Sequence, residues 1–106
     1  MITIEIRKSA NGYTGFSSKG HAGYAEEGYD IICSAVSALT VNTINSIERF
    51  TNDAFKAEAA DGMVRWKFTE IPISKEAELL MDSLVLGLEY IEESYGKKYI
   101  KIVKKA

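Results

Sequence analysis

The chain has 106 residues, close to the commonest domain size, and we expect a single domain over residues 1–106. Hydrophobic residues make up 46% and charged residues 26%, a globular balance, and the net charge of -2 argues against wholesale electrostatic binding to nucleic acid. The single cysteine excludes an internal disulfide or a thiolate cage around zinc, and the single histidine excludes a histidine-rich metal site. Any thiol or imidazole chemistry therefore falls on Cys33 or His21.

The N-terminus and the hydropathy predict a cytoplasmic location. The first seven residues include acidic and basic side chains and lack the apolar region of a signal peptide. No segment approaches the roughly 18 uninterrupted apolar residues of a membrane span. A lone free cysteine also fits a reducing compartment, so we expect a soluble cytoplasmic protein.

The first 20 residues predict a β-hairpin that leads into a glycine-rich loop. Isoleucines alternate with polar residues over 2–6, the period of a half-buried strand. Asn11-Gly12 suits a tight turn, after which the chain returns as a strand over 13–18. Residues 23–29 are rich in glycine and have no apolar periodicity, so we interpret them as an ordered but mobile loop.

A first helix is predicted to begin at Asp30, because apolar residues then recur at steps of three and four over about five turns. A second hairpin follows, turning at Asp61-Gly62 between two segments of alternating hydrophobicity. The predicted buried stripe of the helix consists of Ile32, Val36, Leu39, Thr43, Ile47 and Phe50.

A second helix is predicted between Ser74 as its N-cap and Gly96 past its C-terminus, and residues 99–103 form a last strand. This helix has more apolar residues than one sheet needs. The surplus suggests a dimer interface, with a wide core groove as the alternative. The predicted core face is Ala77, Leu80, Met81, Leu84, Leu88, Ile91 and Tyr95, and the surplus is Leu79, Val85, Leu86 and Tyr90.

The order of these elements is strand, strand, helix, strand, strand, helix, strand. Each helix has one apolar stripe, and covering one face of a single sheet is the simplest way to bury both stripes. We therefore predict an α+β two-layer sandwich, in which a mixed, mostly antiparallel five-stranded sheet has two helices on one face.

Cys33 and His21 lie at a helix start and a strand end that are joined by glycines. With Asp30 as the N-cap, Cys33 falls in the first turn, where free N–H groups and the helix dipole favour a thiolate and can hold an oxyanion. His21 would then serve a cysteine nucleophile as general base or acid. The spacing alone leaves open a small core cysteine and an ordinary loop histidine.

The residues around this pair resemble a known signature. Over residues 20–39, the sequence GHAGYA, a glycine at position 28 and the sequence DIICSAVSAL closely resemble the ribosomal-processing cysteine protease family, Prp. Chain length and element order also resemble that family. The resemblance implies a catalytic dyad formed by His21 and Cys33. The supporting residues that it implies are Asp30, Ser37 and Gly20.

The resemblance also implies a function. Members of the family are cysteine endopeptidases that remove the N-terminal extension of a bacterial large-subunit ribosomal protein, number twenty-seven in its series, during ribosome biogenesis. It implies a homodimer, here through the second helix, and neither metal nor cofactor. We expect no membrane partner and no direct nucleic-acid partner.

The segment 23–28 is interpreted as a substrate-binding lid with glycine hinges. Glu26 and Glu27 are solvated side chains or, alternatively, attract a basic ribosomal segment. The substrate-binding residues predicted in this loop are Gly23, Tyr24, Gly28 and Tyr29.

Several readings stay open. Asp30 either caps the helix or orients His21, and Ser37 either contacts substrate or bonds back to a helix carbonyl. A non-catalytic, ribosome-associated binding module is the alternative to the protease, supported by the basic C-terminus. A redox sensor at Cys33 lacks a resolving cysteine in the same chain.

Overall fold

Five strands and two helices follow one another in the order that the sequence predicts. The computed structural model describes residues 1–20 and 29–106, with residues 29 and 30 described by their backbone alone. The elements are β1 (Ile2–Ser9), β2 (Gly12–Lys19), α1 (Tyr29–Phe50), β3 (Phe55–Ala60), β4 (Met63–Phe68), α2 (Lys75–Tyr95) and β5 (Ile100–Lys105).

The strands form one sheet in the order β3-β4-β2-β1-β5. The pairs β1–β2, β2–β4 and β3–β4 are antiparallel, and β1–β5 is parallel, which confirms the predicted mixed, mostly antiparallel sheet. Because β4 pairs with β2, the end of β2 meets the start of β4, with Lys19 opposite Met63. The backbone N–H of Gly20 donates to the carbonyl oxygen of Gly62 at 2.9 Å, and this bond ties the two strand ends together.

Both helices cover the same face of the sheet. The isoleucines that alternate along β1 point into this layer, and Phe16 stacks on Trp66 with ring centroids 4.5 Å apart. Three assignments of core residues are wrong. Phe50 and Tyr95 are exposed because they lie at the ends of the helices, and Val85 is buried because the groove is wider than one stripe.

The start of α1 also differs from the prediction. The helix begins at Tyr29, so Asp30 lies inside the first turn and is not the N-cap. An aspartate is favourable at either position, since the first turn of a helix attracts negative charge, and composition alone does not separate the two.

The helix α1 is strongly apolar. Residues 31–50 have a mean hydropathy of 1.2 and are long and apolar enough to cross a membrane, judged by length and composition alone. The core helix of a globular domain passes the same test. Ile32, Val36 and Ile47 of this helix are buried in the core with residues of β1 and α2.

Polar contacts fix α2 over the sheet. Ser74 is its N-cap, as predicted, and accepts a hydrogen bond from the N–H of Ala77. The Asp53 carboxylate accepts hydrogen bonds from both the backbone N–H and the hydroxyl of Ser74. Farther along α2, Asp82 accepts a hydrogen bond from the hydroxyl of Tyr13 at 2.5 Å. Gly96 ends the helix with a φ of 94°, which confirms its predicted place.

Candidate active site

Cys33 lies on the wall of a cleft of about 320 Å³ at one end of the sheet. The first turns of α1 form one side of this cleft, and the end of β2 with the β3–β4 turn forms the other. The polar and glycine residues that line it are Ser18, Gly20, Cys33, Ser37, Asp61 and Gly62.

The thiol of Cys33 belongs to both the core and the cleft. Its side chain is half-buried and packs against the apolar core, while it also lines the cleft. Since α1 begins at Tyr29, Cys33 is the fifth residue of the helix and not the third. The four N–H groups that a helix leaves free precede it, so Cys33 lies just beyond the first turn, within which the effect of the helix dipole falls off.

Gly20 holds the strand end close to the N-terminus of the chain. Its φ is +100°, a conformation that residues with a side chain rarely adopt, and a Cβ here would approach the carbonyl oxygen of Met1 to 2.3 Å. Together with the bond to Gly62, this close approach places Gly20 on the cleft wall.

Ser37 follows Cys33 by one helical turn and lines the same cleft. Thr43 shows the competing arrangement, because its hydroxyl donates to the carbonyl oxygen of Leu39 at 2.7 Å. Within residues 1–20 and 31–106, the Ser37 hydroxyl makes no hydrogen bond of this kind. Its side chain is exposed and free to contact a bound peptide.

Asp61 is a cleft residue that sequence reasoning missed. The Asp-Gly pair predicts the hairpin turn correctly, yet nothing in the sequence near Asp61 shows that this turn faces Cys33. That proximity results from the pairing of β2 with β4, strands separated by a helix and a further strand. The carboxylate makes the cleft attractive to a cation.

The other predicted site residues lie outside the described residues. These are His21, Gly23, Tyr24 and Gly28, together with Glu26 and Glu27 of the same segment. Of Tyr29 and Asp30 only the backbone is described, as the first two residues of α1. Their roles therefore stay predictions.

In the part of the chain that the structure describes, no three His, Cys, Asp or Glu side chains come together as metal ligands would. A larger depression, on the opposite face of the sheet, has no thiol in its lining. Of these two depressions, the cleft at the end of the sheet is the one lined by a thiol.

A small α+β domain with one thiol on the wall of an open cleft is the layout of a thiol-dependent enzyme. The sequence profile of the family described as "Cysteine protease Prp" matches residues 1–101. The chain belongs to this family and is a cysteine protease.

Named relatives and solved structures agree with this assignment. The ribosomal processing cysteine protease Prp of Bacillus subtilis (strain 168) is 30% identical over 103 residues, which cover 90% of each chain. Two crystal structures of the essential ribosomal processing protease Prp from S. aureus share the fold. The complex with a substrate peptide gives a TM-score of 0.89 at 28% identity, and the complex with a covalently linked product peptide gives 0.87 at 29%. Each alignment covers 99% of this chain and 100% of the other.

Proposed function

We propose that this protein is a processing endopeptidase that removes the N-terminal extension of a large-subunit ribosomal protein, number twenty-seven in its series. Relatives named for ribosomal processing support the class of substrate. The resemblance over residues 20–39 supports the particular one. Cys33 is the nucleophile in this proposal and His21 its general base and acid.

One observation carries the assignment of the nucleophile. A cysteine protease needs a thiol, the chain has a single cysteine, and that cysteine lines a cleft at the end of the sheet. A cysteine with a purely structural role would pack into the core on every side. Cys33 is half-buried, which leaves its sulfur a route to a bound peptide.

The reaction is acyl transfer to the thiol. His21 takes the proton of Cys33, and the thiolate attacks the scissile carbonyl carbon, so that a C–S bond forms and the carbonyl oxygen becomes an oxyanion. The C–N bond then breaks, and His21 returns the proton to the leaving amine. Water hydrolyses the thioester and releases the extension. A covalently linked product peptide in a crystal structure of the S. aureus protein supports a covalent mechanism of this kind.

Because of the position of Cys33 in α1, we assign the activation of its thiol to His21 rather than to the helix dipole. The effect of a helix dipole falls off within the first turn, and Cys33 is the fifth residue. In this proposal the imidazole of His21 is the group that activates the thiol. In this proposal Asp30 acts through the first turn of the helix or on His21, and residues 23–29 contact the peptide.

The experiment is cleavage of a synthetic peptide that copies the extension and the first mature residues of the ribosomal protein. We expect the native protein to cut it, and Cys33→Ala and His21→Ala each to lower the rate by at least about a thousandfold. Thr69→Ala, a comparably small change at an exposed position just after β4 and away from the cleft, is the control and keeps the native rate.

Two outcomes count against the proposal in different ways. Equal cleavage by all variants would remove Cys33 and His21 from the mechanism. Cleavage of a scrambled peptide at the same rate would leave a cysteine protease without the proposed substrate.

We further propose that the enzyme is a homodimer through α2. Leu79, Leu86 and Tyr90 recur along one side of this helix and are 69%, 70% and 71% exposed. Exposed apolar side chains on one helix face are typical of an interface. Sedimentation should give a dimer for the native chain and a monomer for Leu86→Glu with Tyr90→Glu, whereas the control Lys97→Glu stays dimeric. A monomeric native chain would contradict this.

The cytoplasm is the compartment that we propose. The buried stripe of α1 joins the core, and Asn42 and Asn45 are exposed on the same helix, which suits contact with water better than with lipid. Fractionation of cells that express the tagged chain tests this, and recovery in the membrane pellet after a high-salt wash would contradict it.

A further inference from the structure

The face of the sheet that no helix covers is strongly basic. Residues paired across neighbouring strands share a face, so the register assigns every side chain to one side. Within residues 1–20 and 31–106, seven basic side chains lie on the open face, against two acidic ones, Glu5 and Glu58. The basic residues are Arg7, Lys19, Lys56, Arg65, Lys67, Lys101 and Lys105.

One register position collects four of these charges in a line. Lys56 of β3 lies opposite Lys67 of β4, which lies opposite Gly15 of β2. Gly15 lies opposite Arg7 of β1, and Arg7 opposite Lys105 of β5. The line crosses all five strands, and at a strand spacing of 4.8 Å it spans about 19 Å. We call Lys56, Lys67, Arg7 and Lys105 the cationic row.

Half of the row is electrostatically uncompensated. Arg7 and Lys105 share Glu5, at 2.5 and 3.5 Å, and the neighbouring Glu58 is taken by Arg65. Among the described residues, no acidic side chain pairs with Lys56 or Lys67. Like charges directly opposite each other destabilise a sheet, so this pair costs stability in the free protein. A bound anion would remove that cost.

The row also borders a groove. A depression of about 840 Å³ lies on the open face, and its lining includes Gly15 with Arg7, Lys56 and Lys67 of the row. Glu5 and Glu58 also line it, and each is paired with a basic side chain. Because Gly15 has no side chain, the middle of the row is low and its two ends are high. A linear, negatively charged polymer can lie in this depression, across the direction of the β-strands.

We propose that the cationic row binds the phosphate backbone of single-stranded RNA. Lys56 and Lys67 offer two adjacent unpaired cations, and Arg7 and Lys105 lie beyond Gly15 in the same line. A chain of phosphates can reach both pairs, whereas an acidic peptide carries its charges irregularly. The row has no large apolar side chain to insert into a lipid surface, and no aromatic side chain to stack on bases, so contact is with phosphates and is independent of sequence. The choice of RNA over DNA rests on the proposed function, because a ribosomal protein assembles with RNA.

The row lies away from the cleft. Gly20 and the β3–β4 turn, which line the cleft, are at the opposite end of these strands, and Cys33 is on the covered face. Peptide cleavage and RNA binding therefore use separate residues and can be measured separately.

The experiment follows the fluorescence anisotropy of a labelled RNA of about 12 nucleotides and mixed sequence over a range of salt concentrations. The test variant is Lys56→Gln with Lys67→Gln. The matched control is Lys75→Gln with Lys97→Gln, which removes the same charge from exposed positions outside the open face. We expect the test variant to bind about tenfold more weakly at 0.1 M salt, and its salt slope to fall by about 0.7 for each lysine. The control should match the native protein.

Other ligands and the cleavage assay complete the design. No binding by the native protein at low salt, equal losses in both variants, or tighter binding of a DNA strand, a polyglutamate peptide or phosphatidylglycerol vesicles would each overturn the proposal. The extension peptide should be cut at the native rate by the test variant. Failure of the native protein to cut it, with RNA binding intact, would overturn the proposed function and leave the phosphate site standing.

Discussion

The two faces of the sheet are made by the same five strands and have opposite chemistry. The covered face carries Ile4, Phe16, Trp66 and Phe68, which pack under the helices. The open face carries mostly charged side chains at the alternating positions. The covered face supplies the stability that fixes the strands. On the open face, the same strands hold the charged side chains at the strand spacing. A change on one face should therefore leave the property of the other intact.

The largest expected effect is on the free energy of unfolding, and it distinguishes the two faces of the sheet within one strand, β4. Phe68, 1% exposed on the covered face, and Lys67, exposed on the open face, are neighbours in β4. Phe68→Ala should lower the free energy of unfolding by about 3–5 kcal/mol, because it leaves a cavity in the core. Lys67→Ala should change it by no more than about 0.5 kcal/mol. Urea unfolding of both variants measures the two free energies. Similar losses in both would contradict the difference between the covered and the open face.

A smaller effect is expected where the covered layer ends at the cleft. Gly20→Ala should cost about 3 kcal/mol, because the backbone is strained for alanine and the new Cβ meets the carbonyl of Met1. Gly96→Ala has a similar φ, +94°, and nothing within 4 Å of its Cβ, so it should cost about 1 kcal/mol. Only Gly20→Ala should also slow peptide cleavage, since it shifts a cleft wall. Equal effects of both variants on cleavage would contradict the assignment of Gly20 to the site.

The smallest effect concerns the contacts that pin α2 to the covered face. Burial raises the pKa of Asp53, but its hydrogen bonds from Ser74 and Thr51 outweigh burial and lower the pKa below its usual 3.8. The ionised form is therefore stabilised by folding, and that stability is present above about pH 4 and lost as the pH falls through the folded pKa. Asp53→Asn should cost about 1 kcal/mol at pH 7 and progressively less below pH 4. A constant difference across this range in thermal unfolding would contradict it.

Short sequence patterns predicted the helices and strands correctly, because the interactions that form these elements act between residues close in the chain. Alternation in β1, the cap at Ser74 and the glycine at position 96 each depend on residues within one turn or one strand. The α+β class followed from the number of apolar stripes. Two of the errors in the core lie at element ends, because Phe50 and Tyr95 keep the helical period but are the last residues of their helices. The third is Val85, which is buried because the groove is wider than one stripe.

The register between strands that are distant in the chain could not be predicted from the sequence. Lys56 faces Lys67 through a hairpin, but Arg7 faces Lys105 across nearly the whole chain. The net charge of -2 averages over the molecule, and for that reason it argued against nucleic acid, whereas the fold gathers the cations on one face. Asp61 reached the cleft in the same way, through the pairing of β2 with β4.

The most direct test of the account is the site of acylation. The extension peptide is mixed with the native protein, the reaction is stopped with acid, and the fragment that contains Cys33 is analysed by mass spectrometry. We expect a thioester on Cys33 whose added mass is that of the N-terminal cleavage product less one water, with no adduct in Cys33→Ala. Cleavage at the native rate by Cys33→Ala, or an adduct on another residue, would contradict it.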